Sequence, residues 1–392
     1  MIYLDHAAAT PVSDKVFKAM DPYFTEEFFN PSAAYLPAKK VASEYENAKG
    51  VIAHAIGAKA SDLVMTAGAT EANNLAFTSA EAGILYLISE HDSVRRVAES
   101  HDGEAVRVLP NGLIDLKDLQ DKLTDEVQMI SVSLANNELG VIQPLAEVAA
   151  LIREVKIDRM KRGVKTQLLL HSDASQALNL LDINVARLGV DLLTLNAAKV
   201  YGPKGVGALY VSHDARLRPL VAGGGQERGL RSGTEDVPGV VGFAEAVRLA
   251  KEHLNGNRKK YAAWRKILLA ELEGYELINR KHALDNFVVV SFPGLDAERL
   301  IYLLEEREVY VATGAACAAS KGVRSHVLAA IGLSDEQIAG SLRITLGETN
   351  DEAQIHEAAR IINEVVVKEQ ARIGLSRPET KPSLIKLWQS IA

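Results

Sequence analysis

The chain has 392 residues, of which 47% are hydrophobic and 24% are charged, and it carries a formal net charge of −7. This length exceeds the size at which a single hydrophobic core stops growing, so two domains are expected. The net negative charge excludes a nucleic-acid-binding protein that relies on overall attraction to phosphates. The first residues, MIYLDHAAATP, are acidic and polar where a signal peptide needs a positive charge and an apolar run. No apolar run is long enough to span a membrane. A cytoplasmic enzyme is the class that remains.

Short apolar runs alternate with amphipathic stretches over the first two thirds of the chain. Strands are predicted at Leu63–Thr66, Ile84–Ile88, Ala105–Leu109, Met129–Leu134, Gln167–His171, Leu192–Asn196 and Gly207–Val211. Helices are predicted between them, for example at Thr70–Ala82, Leu116–Leu123 and Leu145–Lys161. Alternating strands and helices build βαβ units around a mostly parallel sheet, in which ligands collect at the carboxyl ends of the strands.

The pattern changes after Val237. Two helices are predicted, at Val237–Leu254 and Lys259–Leu272, followed by strands at Phe287–Phe292, Val309–Ala312 and Leu342–Leu346. This order is typical of a smaller α+β domain. We therefore predict a large α/β domain over residues 15–250 and a small domain formed by residues 1–14 and 251–392.

Three kinds of group follow the predicted strands. Gly68, Ala69 and Thr70 form a small-residue turn before a helix, which suits either a phosphate or an ordinary helix cap. Asp173 follows a second strand, where its carboxylate can hold a protonated ring nitrogen or cap the next helix. Lys199 follows a third strand among small residues, where its amine can act as a nucleophile or lie on the surface.

A phosphate turn, an acid and an amine are the groups that hold pyridoxal 5′-phosphate in an enzyme. The amine forms a Schiff base with the aldehyde, and the acid keeps the ring nitrogen protonated so that the ring accepts electrons. Each group alone is common, and their order along this chain is what indicates the cofactor.

The segments YLDHAAATP, GATEANN, SEHDSV, NNELGVIQP, HSDASQ, AAKVYGPKG, ERGLRSGTED, ATGAAC and SLRITLG together resemble the cysteine desulfurases. More narrowly, the chain resembles the NifS/IscS group, and the resemblance runs from Met1 to about Val367. It implies fold type I of the pyridoxal-phosphate enzymes, in the class V aminotransferase family, with a mostly parallel seven-stranded sheet and a smaller α+β domain. It also implies L-cysteine as the substrate, and iron–sulfur cluster assembly or thiolation as the destination of the sulfur.

Cys317 is the only cysteine of the chain, and it lies in the small-residue segment ATGAACAASKGVRSH. In the resembled family the cysteine of this segment attacks the sulfur of the substrate, which leaves alanine and an enzyme persulfide. The distance from Cys317 to His326 matches the longer catalytic loop of the NifS/IscS group. A purely structural cysteine would more often be buried among apolar residues.

The resemblance assigns five residues to the cofactor ring and the substrate. Lys199 matches the Schiff-base lysine, and Asp173 matches the partner of the ring nitrogen. Gln176 matches the residue that bonds the ring hydroxyl, and Asn137 one that contacts a ring substituent or the substrate. His91 matches the histidine that stacks on the ring and takes part in proton transfer.

Five further residues are assigned to the phosphate and to the substrate carboxylate. Ala69 and Thr70 match the phosphate-binding turn. Thr234 matches a residue that reaches the phosphate from the other subunit, which implies a homodimer. Arg343 matches the arginine that clamps the substrate carboxylate with its planar, two-pronged guanidinium, and Asn30 assists it.

The chain departs from the family pattern just before Lys199. The usual serine and histidine are replaced by Asn196 and Ala198, so a histidine contact to the phosphate is lost. Asn196 has an amide donor that can substitute for the serine. Alanines also replace the serines that usually surround Cys317.

Alternatives remain open at this stage. His91 can be a strand-end histidine with its own partners, Arg343 can pair with a carboxylate at a domain interface, and Asn137 can be a turn residue. The rival functions are a selenocysteine lyase, another class V aminotransferase, and a non-catalytic scaffold descended from the enzyme. No cysteine and histidine cluster has the spacing of a zinc site, so no metal is expected.

Overall fold

The structure is a computed structural model that describes residues 1–313 and 324–375. These residues form two compact units. The large unit consists of Ala9–Asn137 and Ile142–Leu254. The small unit consists of Met1–Ala8, Glu138–Val141 and the described residues from Asn255 onward.

The strands of the described residues are short, and most of them are buried. In chain order they are β1 (Ile2–Tyr3), β2 (Leu63–Thr66), β3 (Ile84–Leu87), β4 (Glu104–Val106), β5 (Met129–Ser131), β6 (Leu169–Asp173), β7 (Leu192–Asn196), β8 (Gly207–Val211), β9 (Glu276–Leu277), β10 (Phe287–Ser291), β11 (Val309–Tyr310), β12 (Ala312–Thr313) and β13 (Ser341–Thr345).

The helices of the same residues range from one turn to about ten. In chain order they are α1 (Asp14–Met20), α2 (Pro22–Thr25), α3 (Leu36–Ala55), α4 (Ala69–Phe77), α5 (Asp92–Ser100), α6 (Leu116–Lys122), α7 (Leu145–Arg162), α8 (Val185–Leu188), α9 (Val237–Glu271), α10 (Ala297–Glu305), α11 (His326–Ala330), α12 (Asp335–Ala339) and α13 (Glu352–Arg372). No helix in the described ranges is long and apolar enough to cross a membrane.

The large unit, all of whose residues are described, contains one seven-stranded sheet in the order β2-β8-β7-β6-β5-β3-β4. The pairs among β3, β4, β5, β6 and β7 are parallel, and β8 runs antiparallel to both of its neighbours. Strands such as LVMT in β2 and ILYL in β3 are buried along their whole length, as strands covered on both faces are. The predicted mostly parallel α/β sheet is confirmed.

The small unit contains a four-stranded antiparallel sheet in the order β12-β13-β10-β9, and β1 pairs with β11 in parallel. The short segment Glu138–Val141 belongs to this unit because the N–H of Leu284 donates to the carbonyl of Gly140 at 2.9 Å. Gly140 has a φ of +69° and lies against Phe287, so a side chain there would clash with the ring. Between residues 9 and 254, the chain enters the small unit only for these four residues.

The prediction of two helices after Val237 is wrong, because α9 is one helix of 35 residues. The break was predicted at the Asn-Gly-Asn stretch around Gly256. A glycine costs a helix about 1 kcal/mol relative to alanine, which tertiary packing on either side readily outweighs. The buried residues Leu254 and Tyr261 provide that packing before and after the glycine.

Candidate active site

The turn between β2 and α4 is built from Gly68, Ala69 and Thr70. Gly68 has a φ of +134°, which glycine adopts without strain, and it is the N-cap residue of α4. No described side chain caps this helix, and a methyl group on Gly68 would meet nothing within 4 Å. The N–H groups of the first turn of α4 are thus left without a described side-chain cap, and such groups can bind an anion.

Gly207, the first residue of β8, lies between this turn and the one that follows β7. It pairs with Thr66 on one side and with Asn196 on the other. A Cβ on Gly207 would lie 2.7 Å from the carbonyl carbon of Gly68 and 2.7 Å from the carbonyl oxygen of Leu195. Both contacts are to backbone, so only glycine allows the two turns to approach this closely.

Lys199 is half-buried at the end of a short 3-10 helix, Ala197–Lys199, that follows β7 directly. Asn196 caps this helix, since its Oδ1 accepts a hydrogen bond from the N–H of Ala198 at 3.1 Å. The carbonyl oxygen of Ala198 accepts from both the N–H and the Oγ1 of Thr10, each at 3.1 Å. The backbone before the lysine is thus fixed from two sides, and the role of Thr10 was not predicted.

Asp173 ends β6, a central strand of the sheet, and its residue is 8% exposed. Its Oδ2 accepts a hydrogen bond from Nδ2 of Asn73 at 2.9 Å, and its Oδ1 accepts one from the N–H of Ser175 at 2.8 Å. Both carboxylate oxygens therefore act as acceptors. This is the arrangement that a partner of a protonated ring nitrogen needs.

Two other buried titratable groups interact electrostatically with Asp173. Burial and the negative charge of Asp173 raise the pKa of Glu90 well above its usual range, which favours its neutral, protonated form. Burial lowers the pKa of His171 to about 4, although Asp173 opposes this shift. His171 lies between Oγ of Ser131 and Oγ1 of Thr194, at 2.8 and 3.1 Å. Both groups favour their uncharged forms at pH 7.

His91 is half-buried and is the N-cap residue of α5. Its Nδ1 accepts a hydrogen bond from the N–H of Ser93 at 3.1 Å and lies 2.9 Å from Oγ of the same serine. Nδ2 of Asn73 donates to that Oγ at 2.9 Å. The structure therefore joins His91 to Asp173 through Ser93 and Asn73, two residues that sequence reasoning missed.

The other predicted residues of the large unit differ in exposure. Gln176 and Asn137 are half-buried, and Thr234 and Asn30 are exposed. Oδ1 of Asn30 accepts a hydrogen bond from the N–H of Ser32 at 2.9 Å, which is the local bonding of a turn residue. Their predicted roles toward a ligand stay predictions.

The loop that carries Thr234 is anchored by a second buried carboxylate that sequence reasoning missed. Glu227 accepts hydrogen bonds from the Tyr45 hydroxyl at 2.6 Å, from Nζ of Lys49 at 3.0 Å and from the N–H of Met65 at 2.9 Å. Glu227 itself has a φ of +45°, a conformation that costs energy for a non-glycine residue. Its three donors hold this conformation in place.

A separate ion pair ties the same loop to the turn between β2 and α4. Nε of Arg231 lies 2.8 Å from Oε1 of Glu71, in the first turn of α4. Oε2 of Glu71 accepts from the N–H of Ala67 at 3.1 Å. The guanidinium therefore offsets a negative charge that would otherwise stand beside an anion at this turn.

In the small unit, Arg343 lies in β13 and is 3% exposed. Its Nη2 lies 2.7 Å from Oδ1 of Asp5, a carboxylate of the same unit, and its role toward a substrate stays a prediction. Ser325, the N-cap residue of α11, donates to Oε2 of Glu138 within the same unit. Cys317 lies outside the described residues.

Residues 2–357 of the chain match the family described as aminotransferase class-V. A putative cysteine desulfurase IscS 1 of Bacillus subtilis is 34% identical over 383 residues, which cover 93% of this chain and 98% of that protein. A cysteine desulfurase IscS of Neisseria meningitidis is 36% identical over 386 residues, covering 94% of this chain and 92% of that protein.

Solved structures give the same picture. A structure described as a NifS-like protein superposes with a TM-score of 0.86 at 30% identity, covering 94% of this chain and 99% of the other. A structure described as SspA in complex with cysteine superposes with a TM-score of 0.77 at 32% identity, covering 88% and 99%.

Proposed function

Since the chain belongs to the class-V aminotransferase family and, within it, to the NifS/IscS-like cysteine desulfurases, we propose that it converts L-cysteine to L-alanine and transfers the sulfur to Cys317 as a persulfide. Pyridoxal 5′-phosphate is the cofactor of this family. The observation that carries the proposal is the acceptor carboxylate of Asp173 at the end of β6, linked by hydrogen bonds to His91.

The large unit fits this cofactor. When bound, pyridoxal phosphate supplies an aldehyde that condenses with amines and a ring that accepts electrons while substrate bonds break. The oxygens of Asp173 suit the protonated ring nitrogen, and the uncapped start of α4, at Ala69 and Thr70, suits the phosphate. Lys199 supplies the anchoring amine. Asn196 and Gln176 are proposed as further contacts to the cofactor.

The sulfur step needs a thiolate, a proton and no external oxidant. Sγ of Cys317 attacks the sulfur of the substrate, so a sulfur–sulfur bond forms and the carbon–sulfur bond breaks. The electron pair of that bond goes to the substrate carbon, which takes a proton and becomes the methyl group of alanine. The sulfur is oxidised and the carbon is reduced. We assign the proton transfer to His91.

The substrate and partner roles are proposed on the matching motifs. Arg343 binds the substrate carboxylate through its guanidinium, with Asn30 and Asn137 assisting. Thr234 lies on an exposed loop and contributes to the phosphate site of a second subunit, so the enzyme is a homodimer. The persulfide is passed to an iron–sulfur scaffold protein or to a thiolation protein in the cytoplasm.

A Lys199→Ala variant tests the cofactor assignment, with Lys204→Ala as its matched control. Lys204 is exposed, five residues further along the chain, and no role toward a ligand is proposed for it. We expect the purified protein to be yellow, Lys199→Ala to lose the visible absorption band and Lys204→Ala to keep it. A band that survives Lys199→Ala would reject Lys199 as the anchor.

Incubation with L-cysteine tests the reaction itself. We expect alanine to accumulate and intact-mass analysis to find one extra sulfur atom on Cys317. A Cys317→Ala variant should form neither product. Undiminished turnover by that variant would favour an aminotransferase-type reaction instead.

A further inference from the structure

We propose that Asn73 and Ser93 are positioning residues that join Asp173 to His91 and hold His91 as the tautomer whose proton is on Nε2. The inference deepens the proposed function, on which it rests for the identity of the site. It assigns two residues that neither touch a proposed ligand nor belong to the predicted site. The atoms that carry it all lie in the large unit.

The side chain of Asn73 is fully buried, and the negative charge of Asp173 fixes the orientation of its amide group. Its Nδ2 has two hydrogens and two acceptors, Oδ2 of Asp173 and Oγ of Ser93, each at 2.9 Å. The flipped amide would place its carbonyl oxygen against the carboxylate, where two acceptors repel each other. Asn73 therefore donates in both directions.

The hydroxyl group of Ser93 connects the amide of Asn73 to the imidazole of His91. Its Oγ accepts from Asn73 and still has its hydroxyl hydrogen to donate to Nδ1 of His91, 2.9 Å away. The N–H of Ser93 also donates to Nδ1, at 3.1 Å. Two donors at one ring nitrogen require that nitrogen to be unprotonated, so the neutral ring carries its hydrogen on Nε2.

The consequence is a histidine whose free nitrogen has a defined role. With Nδ1 occupied by Ser93, Nε2 is the atom of His91 that gives and takes the proton of the proposed reaction. The adjacent Asn74 shows that this link is specific to Asn73, since Nδ2 of Asn74 donates to the carbonyl of Thr70 at 2.8 Å. One helix thus presents two asparagines with different tasks.

The test measures the ¹⁵N resonances of His91 in the holoprotein, which report the protonation of each ring nitrogen without turnover. We expect Ser93→Ala and Asn73→Ala each to raise the ratio of Nδ1–H to Nε2–H rings about fivefold, the effect of one ordinary hydrogen bond. Ser93→Thr keeps the hydroxyl and should restore the wild-type ratio. Asn279→Ala, which removes a buried and fully bonded asparagine of the small unit, should leave the ratio unchanged.

Cofactor affinity separates the two arms of the link. Asn73→Ala removes a donor from Asp173 and should weaken pyridoxal-phosphate binding at least tenfold, on the order expected for a hydrogen bond to a charged group, while Ser93→Ala should not. If Asn73→Ala fails to fold, the tautomer ratios of Ser93→Ala and Ser93→Thr still test the inference. An unchanged tautomer ratio in Ser93→Ala overturns the inference. A wild-type protein that forms no alanine would reject the proposed function without altering that measurement.

Discussion

The turns that follow β2 and β7 flank the same glycine, Gly207, yet they provide donors by different means. After β2, the first turn of α4 offers backbone N–H groups that no described side chain caps. After β7, Oδ1 of Asn196 already accepts from the N–H of Ala198, so this turn has to offer side-chain donors such as the amide NH2 of Asn196. Backbone donors come with the fold of the turn, whereas side-chain donors depend on residue identity. Only the side-chain donors differ from the family pattern in this chain, at Asn196 and Ala198.

The lengths of the helices that follow the two turns explain why the turn after β2 can bind a phosphate without side-chain donors. α4 has nine residues, so its aligned peptide dipoles add a positive potential at Ala69 and Thr70. The 3-10 helix Ala197–Lys199 has three residues and contributes little of this kind. We infer that most of the phosphate affinity comes from the turn after β2.

The largest effect is expected for Gly207→Ala, because it disturbs both turns together. The new methyl group would press on backbone atoms of Gly68 and Leu195 at 2.7 Å, and backbone cannot rotate away as a flexible side chain can. We expect the free energy of unfolding to fall by about 3 kcal/mol and cofactor binding to weaken. Chemical denaturation and a cofactor titration measure the two effects.

Gly50→Ala is the matched control for this prediction. Gly50 lies inside α3, and a methyl group there meets nothing within 4 Å. The change should stabilise the protein by roughly 0.5–1 kcal/mol and leave cofactor affinity unchanged. A Gly207→Ala protein with normal stability and normal affinity would show that the two turns do not depend on their close approach.

Much of this fold was predictable because its signals are local. The strands Leu63–Thr66, Leu192–Asn196 and Gly207–Val211 were predicted with the bounds that the structure gives, since each is an apolar run ended by a turn residue. Strand ends then indicated where Asp173 and Lys199 lie. Local pattern failed at α9, where packing overrides a single glycine.

The links within the site could not be predicted from the sequence. Asn73 and Ser93 are 20 residues apart, and Asn73 and Asp173 are 100 apart, so no spacing rule relates them. An asparagine in the middle of a helix is usually solvent-facing, and only burial identifies Asn73 as part of a network. Glu227 was missed for the same reason, because its donors come from α3 and β2.

Restoring the missing histidine sharpens the contrast between the turns. In Ala198→His, an imidazole returns to the position before Lys199 where the resembled family has one. A hydrogen bond to a charged phosphate is worth about 2 kcal/mol, so cofactor affinity should rise by roughly thirtyfold. Titration of both apoproteins with pyridoxal phosphate measures it. Equal affinities would mean that the donors of the turn after β2 already satisfy the phosphate, so that a further donor adds nothing.

The smallest effect is expected at Asn196, whose side chain has an observed task as a cap and a proposed one as a phosphate donor. Asn196→Ala removes both, and should lower the free energy of unfolding by about 1 kcal/mol. Asn196→Asp keeps a capping oxygen but replaces the amide donor with a negative charge. We therefore expect the aspartate variant to be the more stable of the two and to bind pyridoxal phosphate more weakly. If both variants instead bind pyridoxal phosphate as tightly as the wild type, the side chain acts on the backbone alone, and the turn after β7 contributes no side-chain donor from this position.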